Sequence, residues 1–484
     1  MKVAFCTSEC APLVKVGGLA DVSEALPKAL KKEGIEVAIF LPLYRRVKES
    51  GFPIESTGLK VKVPIKGEVI TAPIKKTVLH GVPVYLVEYD PYFDREHPYG
   101  TPYGDYPDNA YRFAFFSLAA CEAMKALCYK PDVIHVNDWE TALIPVYLKH
   151  YYFTDSFFLN TGTLLTIHNL AYQGVFPKDV LPEINLPWEL FHIDGLEFYG
   201  NINYLKGGII FSDLINTVSP TYAKEIQTEK YGYGLDGVLR KRRDSLYGVL
   251  NGIDYDEWDP EKDRRIYVNY GKGELDKKRQ NKVKLMEELG LEVHDGPLAG
   301  TVSRLAEQKG LDLVHAVMGD LVGMGVSYVL LGSGEKRYQD MFLELNERYR
   351  GRVKAVIGFD DTLAARIYAG CDLFLMPSRY EPCGLGQMIA LRYGTIPVVR
   401  KTGGLADTIK EFDPETCQGN GFVFEEFSPK DFLDAMSRAV KVYRDEEKWA
   451  VLVRKGMECD FSWEKSAREY IKLYDKIKSS KGGE

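Results

Sequence analysis

The sequence has no long apolar run: nothing in its 484 residues approaches the roughly 18 consecutive apolar residues of a membrane span. The opening offers only residues 3–6 before Ser8 and Glu9 interrupt it, short of the apolar core of a secretory signal, so the chain is expected in the cytoplasm. Cysteine is sparse and scattered. The eight thiols form no CxxC pair and no zinc-like spacing, which argues against a disulfide framework and a structural metal. Positive charge is not in excess either, since 62 Lys and Arg stand against 69 Asp and Glu for a net charge of -7. No nucleic-acid partner and no membrane partner is therefore expected. Gly-x-Gly-x-x-Gly is missing from the first glycine loop, which reads Gly17-Gly18-Leu19, and the second apolar run leads to Tyr44-Arg45-Arg46 where a dinucleotide enzyme needs an acid. A dinucleotide oxidoreductase is thereby disfavoured.

What the chain does have is a series of short apolar runs: 3–6, 37–41, 84–87, 133–136, 164–167 and 214–218, then 246–250, 298–302, 328–331, 353–357, 373–376 and 396–399. Nearly all are apolar throughout, as parallel strands covered on both faces require. Segments of helical spacing separate them, such as Leu19, Val22, Leu26 and Leu30, where Pro27 should kink the helix. The alternation predicts an α/β protein of two Rossmann-like doubly wound domains, 1–245 and 246–458, divided at the charged stretch Arg240 to Asp244. Apolar and aromatic residues at 463, 467, 470, 471, 473 and 474 predict a final amphipathic helix within 459–484.

In open parallel sheets, ligands bind beyond the carboxyl ends of the strands, and the reactive side chains gather there. Asp138, His168 and Asn251 each follow an apolar run, as do Arg304 with Lys309, two cations that suit a diphosphate. Each also has a plainer reading: Asp138 as a helix N-cap, His168 as a hydrogen-bonded structural residue, the cations as a solvated helix start. Glu381 lies in the turn-rich loop Ser378-Arg-Tyr-Glu-Pro-Cys-Gly-Leu-Gly386, where a carboxylate can be presented to a ligand. Lys15-Val-Gly-Gly-Leu-Ala-Asp-Val22 recurs as Lys401-Thr-Gly-Gly-Leu-Ala-Asp-Thr408. A glycine pair opening a helix lets the backbone approach an anion, and the duplication favours a functional role. Residues 97–109, dense in Tyr, Gly and Pro, form either a sugar-stacking loop or a self-packed one. Asp360-Asp361 is the adjacent acidic pair that could hold Mg²⁺, or it caps the helix beginning at Thr362; no metal is expected.

Taken together and in order, Lys15-Val-Gly-Gly-Leu19, His168-Asn-Leu-Ala-Tyr-Gln-Gly174, Val249-Leu-Asn-Gly-Ile-Asp254, Ser303-Arg-Leu-Ala-Glu-Gln-Lys-Gly310 and Ser378-Arg-Tyr-Glu-Pro-Cys-Gly-Leu385 resemble the bacterial glycogen synthase and starch synthase family, from residue 1 to the final helix. The resemblance implies a GT-B arrangement, two Rossmann-like domains facing across a cleft with the last helix crossing back onto the N-terminal domain. It implies a retaining, metal-independent transfer of glucose from a nucleotide sugar, usually ADP-glucose, to the non-reducing end of an α-1,4-glucan such as glycogen, without a cofactor. By motif match, Lys15 and Gly18 meet donor phosphate from one side, and Arg304 and Lys309 neutralise it from the other; Lys309 is expected to be an uncompensated cation, so that its removal is neutral or mildly stabilising. Asp138, His168 and Glu381 surround the glucose. Asp21, Asn251, Cys383, Gly384 and Leu385 fall at the donor site, Phe359 stacks on adenine, and Tyr99 matches an aromatic near the acceptor channel.

Three positions depart from the family pattern. Asn137 stands where a second His is common, Gly386 replaces a Thr or Ser, and Phe359 replaces a Tyr. Among rivals, a sucrose-type or trehalose-type retaining transferase of the same architecture often carries a second Glu eight positions after the first, where this chain has Ile389. A non-catalytic glucan-binding protein has no need of cations converging on a diphosphate.

Overall fold

The computed structural model describes residues 1–101 and 103–481. The chain divides into two compact units: Met1–Val218, Ala223–Val249 and Trp463–Glu484 form one, Ser219–Tyr222 and Leu250–Ser462 the other.

The first unit is built on a nine-stranded sheet in the order Leu246–Gly248, Leu214–Thr217, Gly162–Ile167, Val133–Asn137, Lys2–Cys6, Glu36–Pro42, Val82–Val87, Glu68–Leu79, Glu55–Ile65. The first seven strands run parallel. Their apolar runs are explained by burial from both faces: every residue of Val133–Asn137 and Gly162–Ile167 is buried. The last two strands add antiparallel, joined by Lys66-Gly67 and His80-Gly81, two-residue turns in which both residues have positive φ. The helix Gly18–Lys32 follows the first strand and runs through Pro27. Proline removes the donor that would meet the Ser23 carbonyl, and the Cys10 thiol donates to that oxygen instead, at 3.5 Å.

The run at 246–250 does not open the second domain, as expected from its sequence. Leu246–Gly248 pairs in parallel with Leu214–Thr217, so the boundary falls after Val249 and not at 245. Parallel pairing is settled by distant neighbours, which the run's own residues do not encode. At the other end, 459–462 stays with the second unit, because the Ile253 N–H donates to the Phe461 carbonyl at 2.8 Å. The last helix, Trp463–Lys481, belongs to the first unit, where the Tyr474 hydroxyl lies 2.8 Å from His135 Nδ1 and Asn216 Nδ2 donates to the Tyr470 hydroxyl at 3.1 Å.

The second unit has a six-stranded parallel sheet: Val353–Ile357, Ser327–Gly332, Leu298–Val302, Leu373–Met376, Ile396–Arg400, Phe422–Phe424. Leu285, Leu298, Val329 and Ile367 anchor its core. No helix among the described residues is long and apolar enough to cross a membrane.

Each sheet has a switch point. In the first unit, the strands up to Val82–Val87 all lie on one side of Lys2–Cys6, and the chain resumes on its other side at Val133–Asn137; in the second, the same happens between Leu298–Val302 and Leu373–Met376. Crossover connections leave in opposite directions at such a switch point, and a crevice opens at the carboxyl ends of the two strands.

His135 is fully buried and held neutral, with its second ring nitrogen 2.7 Å from Thr166 Oγ1. Tyr474→Phe leaves its Nδ1 without a partner and is expected to cost about 1–3 kcal/mol in urea unfolding.

Candidate functional site

The switch point of the first unit is organised by a carboxylate that the motifs did not reveal. Glu9 is buried, and its Oε2 accepts the N–H groups of Val16 at 2.6 Å and Gly17 at 2.8 Å, while Oε1 accepts the Tyr99 hydroxyl at 2.7 Å. These bonds pin the 15–18 loop in front of the helix Gly18–Lys32, whose first turn has no side-chain cap. A Cβ placed at Gly17 or Gly18 would meet nothing within 4 Å. The positive end of a 15-residue helix therefore faces open space. Lys15 stands beside it, 58% exposed at the side chain and 2.6 Å from Asp21. Tyr99, expected near an acceptor, has its hydroxyl engaged with Glu9 and with Ser8 Oγ at 2.8 Å.

Asp138 is not a helix N-cap. It takes a left-handed backbone, φ 53°, and turns its carboxylate back across the sheet so that Oδ1 accepts the His168 N–H at 2.7 Å, with the Asn169 N–H as a further donor. Burial, the largest influence, pushes its carboxyl up to about 7. His168 Nε2 lies 2.9 Å from Asn137 Oδ1, and burial holds the imidazole down to about 3. Glu140, two residues past Asp138, is buried with Oε2 unpartnered among the described residues, and burial followed by repulsion from Asp138 drives it toward the neutral acid. Gly174, φ 64°, closes the 168–174 loop onto Trp139, where a Cβ would lie 2.3 Å from the indole.

In the second unit, Gly310 at φ 64° lets the turn after Lys309 lie against the end of Leu373–Met376, since a Cβ there would sit 2.0 Å from the Pro377 carbonyl oxygen. This brings Lys309 Nζ to 2.7 and 3.0 Å from the oxygens of Glu381, which also accepts the Ser378 hydroxyl at 2.9 Å. The expectation of an uncompensated Lys309 is thus overturned: the two switch-point strands deliver a cation and a buried carboxylate to one place. Arg304 is exposed, and no ion pair holds its guanidinium among the described residues. Phe359 is 84% exposed on the loop after Val353–Ile357. The adjacent Asp360 caps the helix Asp361–Gly370 by accepting the Leu363 N–H at 2.9 Å.

Asn251 is 7% exposed; its backbone N–H donates to the Cys383 thiol, which burial pushes up to about 12, and its Oδ1 is unpartnered among the described residues. Gly384, φ 74°, shapes the turn after it, with Leu385 leading into the helix Gly386–Arg392. A Cβ at Gly386 would lie 3.0 Å from the Phe374 ring, so a larger side chain there presses on that ring. The second glycine pair corrects the argument from duplication. At Gly403 and Gly404 a Cβ would strike the backbone of Glu381 at 1.9 Å and Cys383 at 2.1 Å, and Lys401 pairs with Glu425 at 2.7 Å. That copy packs the Glu381 loop, whereas the first copy leaves room for a ligand.

Residues 2–241 match the family described as starch synthase catalytic domain, and 284–455 match glycosyl transferases group 1. The chain is 50% identical to the glycogen synthase of Fervidobacterium nodosum, with 99% of each chain covered, and 50% identical to that of Thermotoga maritima, with 100% of each covered. It resembles the solved catalytic domain of starch synthase IV from Arabidopsis thaliana bound to ADP and acarbose, at TM-score 0.90, 35% identity and 99% coverage of both. Sucrose-phosphate synthase from Thermosynechococcus elongatus shares the fold at TM-score 0.60 and 17% identity.

Two outcomes test the site. The Asp138 carboxyl rises from 3.8 to about 7 on folding, so the folded state holds a proton between those values that the unfolded state has lost. Ionised Asp138 therefore subtracts stability as pH rises through that range, and Asp138→Asn is expected to gain about 1–3 kcal/mol above neutrality, and nothing at the acid end, in melts across pH. Lys309→Ala strands a buried carboxylate and is expected to cost about 3–5 kcal/mol, with Glu381→Gln in the same chain restoring most of it in a double-mutant cycle.

Proposed function

Because the chain belongs to the starch synthase catalytic-domain family of glycosyltransferases, with the α/β fold of the GT-B class, we propose that it moves glucose from ADP-glucose to the non-reducing end of an α-1,4-glucan, with retention at the anomeric carbon and without a metal ion. The observation that carries this reading is the chemistry at the two switch points: an open helix N-terminus with Lys15, a buried Asp138 carboxyl on the His168 backbone N–H and the His168 ring at one, Arg304 and the Lys309–Glu381 pair at the other. The leaving group of such a donor is a nucleoside diphosphate. Preorganised N–H groups and cations stabilise the charge that develops on it as the glycosidic bond breaks, and we assign this to Gly18, Lys15 and Arg304, with Lys309 drawing on its partner's carboxylate. The ADP in the matched starch synthase and the exposed face of Phe359 support adenine as the base.

Retention can follow from two displacements or from attack on the departing side. A double displacement needs a carboxylate free to act as nucleophile. Glu381 has both oxygens engaged by Lys309 and one also by Ser378, and Asp138 accepts two backbone N–H groups. These bonds favour same-face attack, in which the leaving phosphate takes the acceptor hydroxyl proton while His168, Asp138 and Glu381 hold the sugar. The reading places the reaction in the cytoplasm.

Initial rates with ADP-glucose and UDP-glucose on a glucan primer test it. Turnover with ADP-glucose, unchanged by EDTA, is expected. Loss of activity on chelation that Mg²⁺ restores would falsify the metal-free step, and absence of glucosyl incorporation from either donor would sink the reading.

A further inference from the structure

Asn137 occupies the last position of a fully buried strand, yet each of its polar atoms has a directed partner. Its N–H donates to Thr141 Oγ1 at 2.7 Å, the Thr141 hydroxyl donates back to its carbonyl at 2.9 Å, and its Nδ2 donates to the Cys6 carbonyl at 3.0 Å. A carbonyl only accepts, so the contact with Cys6 settles which way the amide faces. Oδ1 must then be the atom 2.9 Å from His168 Nε2, and because Oδ1 also only accepts, Nε2 must carry the hydrogen. In a neutral imidazole the other nitrogen, Nδ1, is then a lone-pair acceptor. Among the described residues it has no hydrogen-bond partner.

We propose that Asn137 is a positioning residue: it fixes His168 as the Nε2–H tautomer and so presents Nδ1 as a permanent acceptor for a hydroxyl of the transferred sugar. The inference rests on the transferase reading for the sugar, but the tautomer itself follows from the protein alone. Burial supports it by keeping the ring from taking a second proton, which would turn Nδ1 into a donor. The ionisable groups around the ring are Asp138, whose carboxylate receives the His168 N–H, His135 on the same strand as Asn137, and Glu9 and Glu140, both acting through Asp138. Asn137 contributes no charge of its own. A His at this position would lack the fixed polarity of the amide, since its own tautomer would vary with the partner.

The test is a long-range ¹H–¹⁵N correlation on full-length protein labelled at histidine, with His168→Gln to identify the signal. The expected result is a protonated Nε2 and a bare Nδ1 from pH 5 to 8 with no titration. A protonated Nδ1, or a ring that titrates in this window, overturns the proposal without any Asn137 variant. Two variants then connect tautomer to rate. Asn137→Leu is expected to mix the tautomers and lower kcat about tenfold or more, with KM for the glucan little changed. Asn137→Asp places a carboxylate on Nε2–H, favours the imidazolium and raises the pH at which it forms, so kcat should acquire an acid limb that the wild type lacks. A folded Asn137→Leu that loses kcat with its His168 tautomer unchanged, or that keeps wild-type kcat with the tautomers mixed, would refute the role. Wild-type transfer from ADP-glucose, measured first, decides the function separately from the tautomer.

Discussion

A parallel strand buried on both faces has nowhere along its length to carry chemistry. Its side chains are committed to packing, its backbone to the ladder, and polar groups can emerge only where the strand ends. That constraint arranges everything else in this protein. In the first unit it collects Glu9, Asp138 and His168 beyond the ends of neighbouring strands. In the second it brings Lys309 and Glu381 from two adjacent strands into one ion pair. Left-handed residues at Asp138 and Gly310 are the local means, since each turns the chain sharply enough to aim a side chain back over the sheet that produced it.

The strands were legible because their runs are almost wholly apolar, and the candidate site residues stood out because they lie at the runs' ends, where the structure places Asp138, His168 and Glu381. Other features were hidden for identifiable reasons. The hairpin strands Glu55–Ile65 and Glu68–Leu79 carry lysines and threonines along half-exposed faces, so they lack a continuous apolar run; their signs were the alternation Leu59-Lys-Val-Lys-Val-Pro-Ile65 and the two-residue turns at Lys66-Gly67 and His80-Gly81. Leu246–Gly248 was visible as a strand but not as an edge of the first sheet, because register and neighbours are tertiary facts. Glu9 was passed over as an interruption of an apolar run. Its importance comes from two backbone donors seven and eight residues later, a spacing that no linear motif announces.

The duplicated glycine pair shows how one sequence pattern can answer two physical needs. Both copies open a helix after a strand. At Gly403 and Gly404 the absent side chains let two loops touch, so the space is filled by the protein's own backbone. At Gly17 and Gly18 the same absence leaves the helix terminus bare, and Glu9 holds the loop so that the space stays. Pro27 in that helix belongs to the same theme: a missing donor is replaced by a thiol from the loop the helix supports.

Phe359, left 84% in water, has a consequence for turnover. An apolar ring kept wet is a standing reserve of hydrophobic free energy, released when a planar base covers it. On the proposed reaction, that release belongs to the nucleoside and is the same before and after the sugar has moved. Affinity drawn from the base therefore does not distinguish the donor from the nucleoside diphosphate it leaves behind. On that reading the by-product would keep its grip after chemistry is complete, and departure of the nucleotide would act as a brake on the cycle, tightening as spent nucleotide accumulates relative to the charged one.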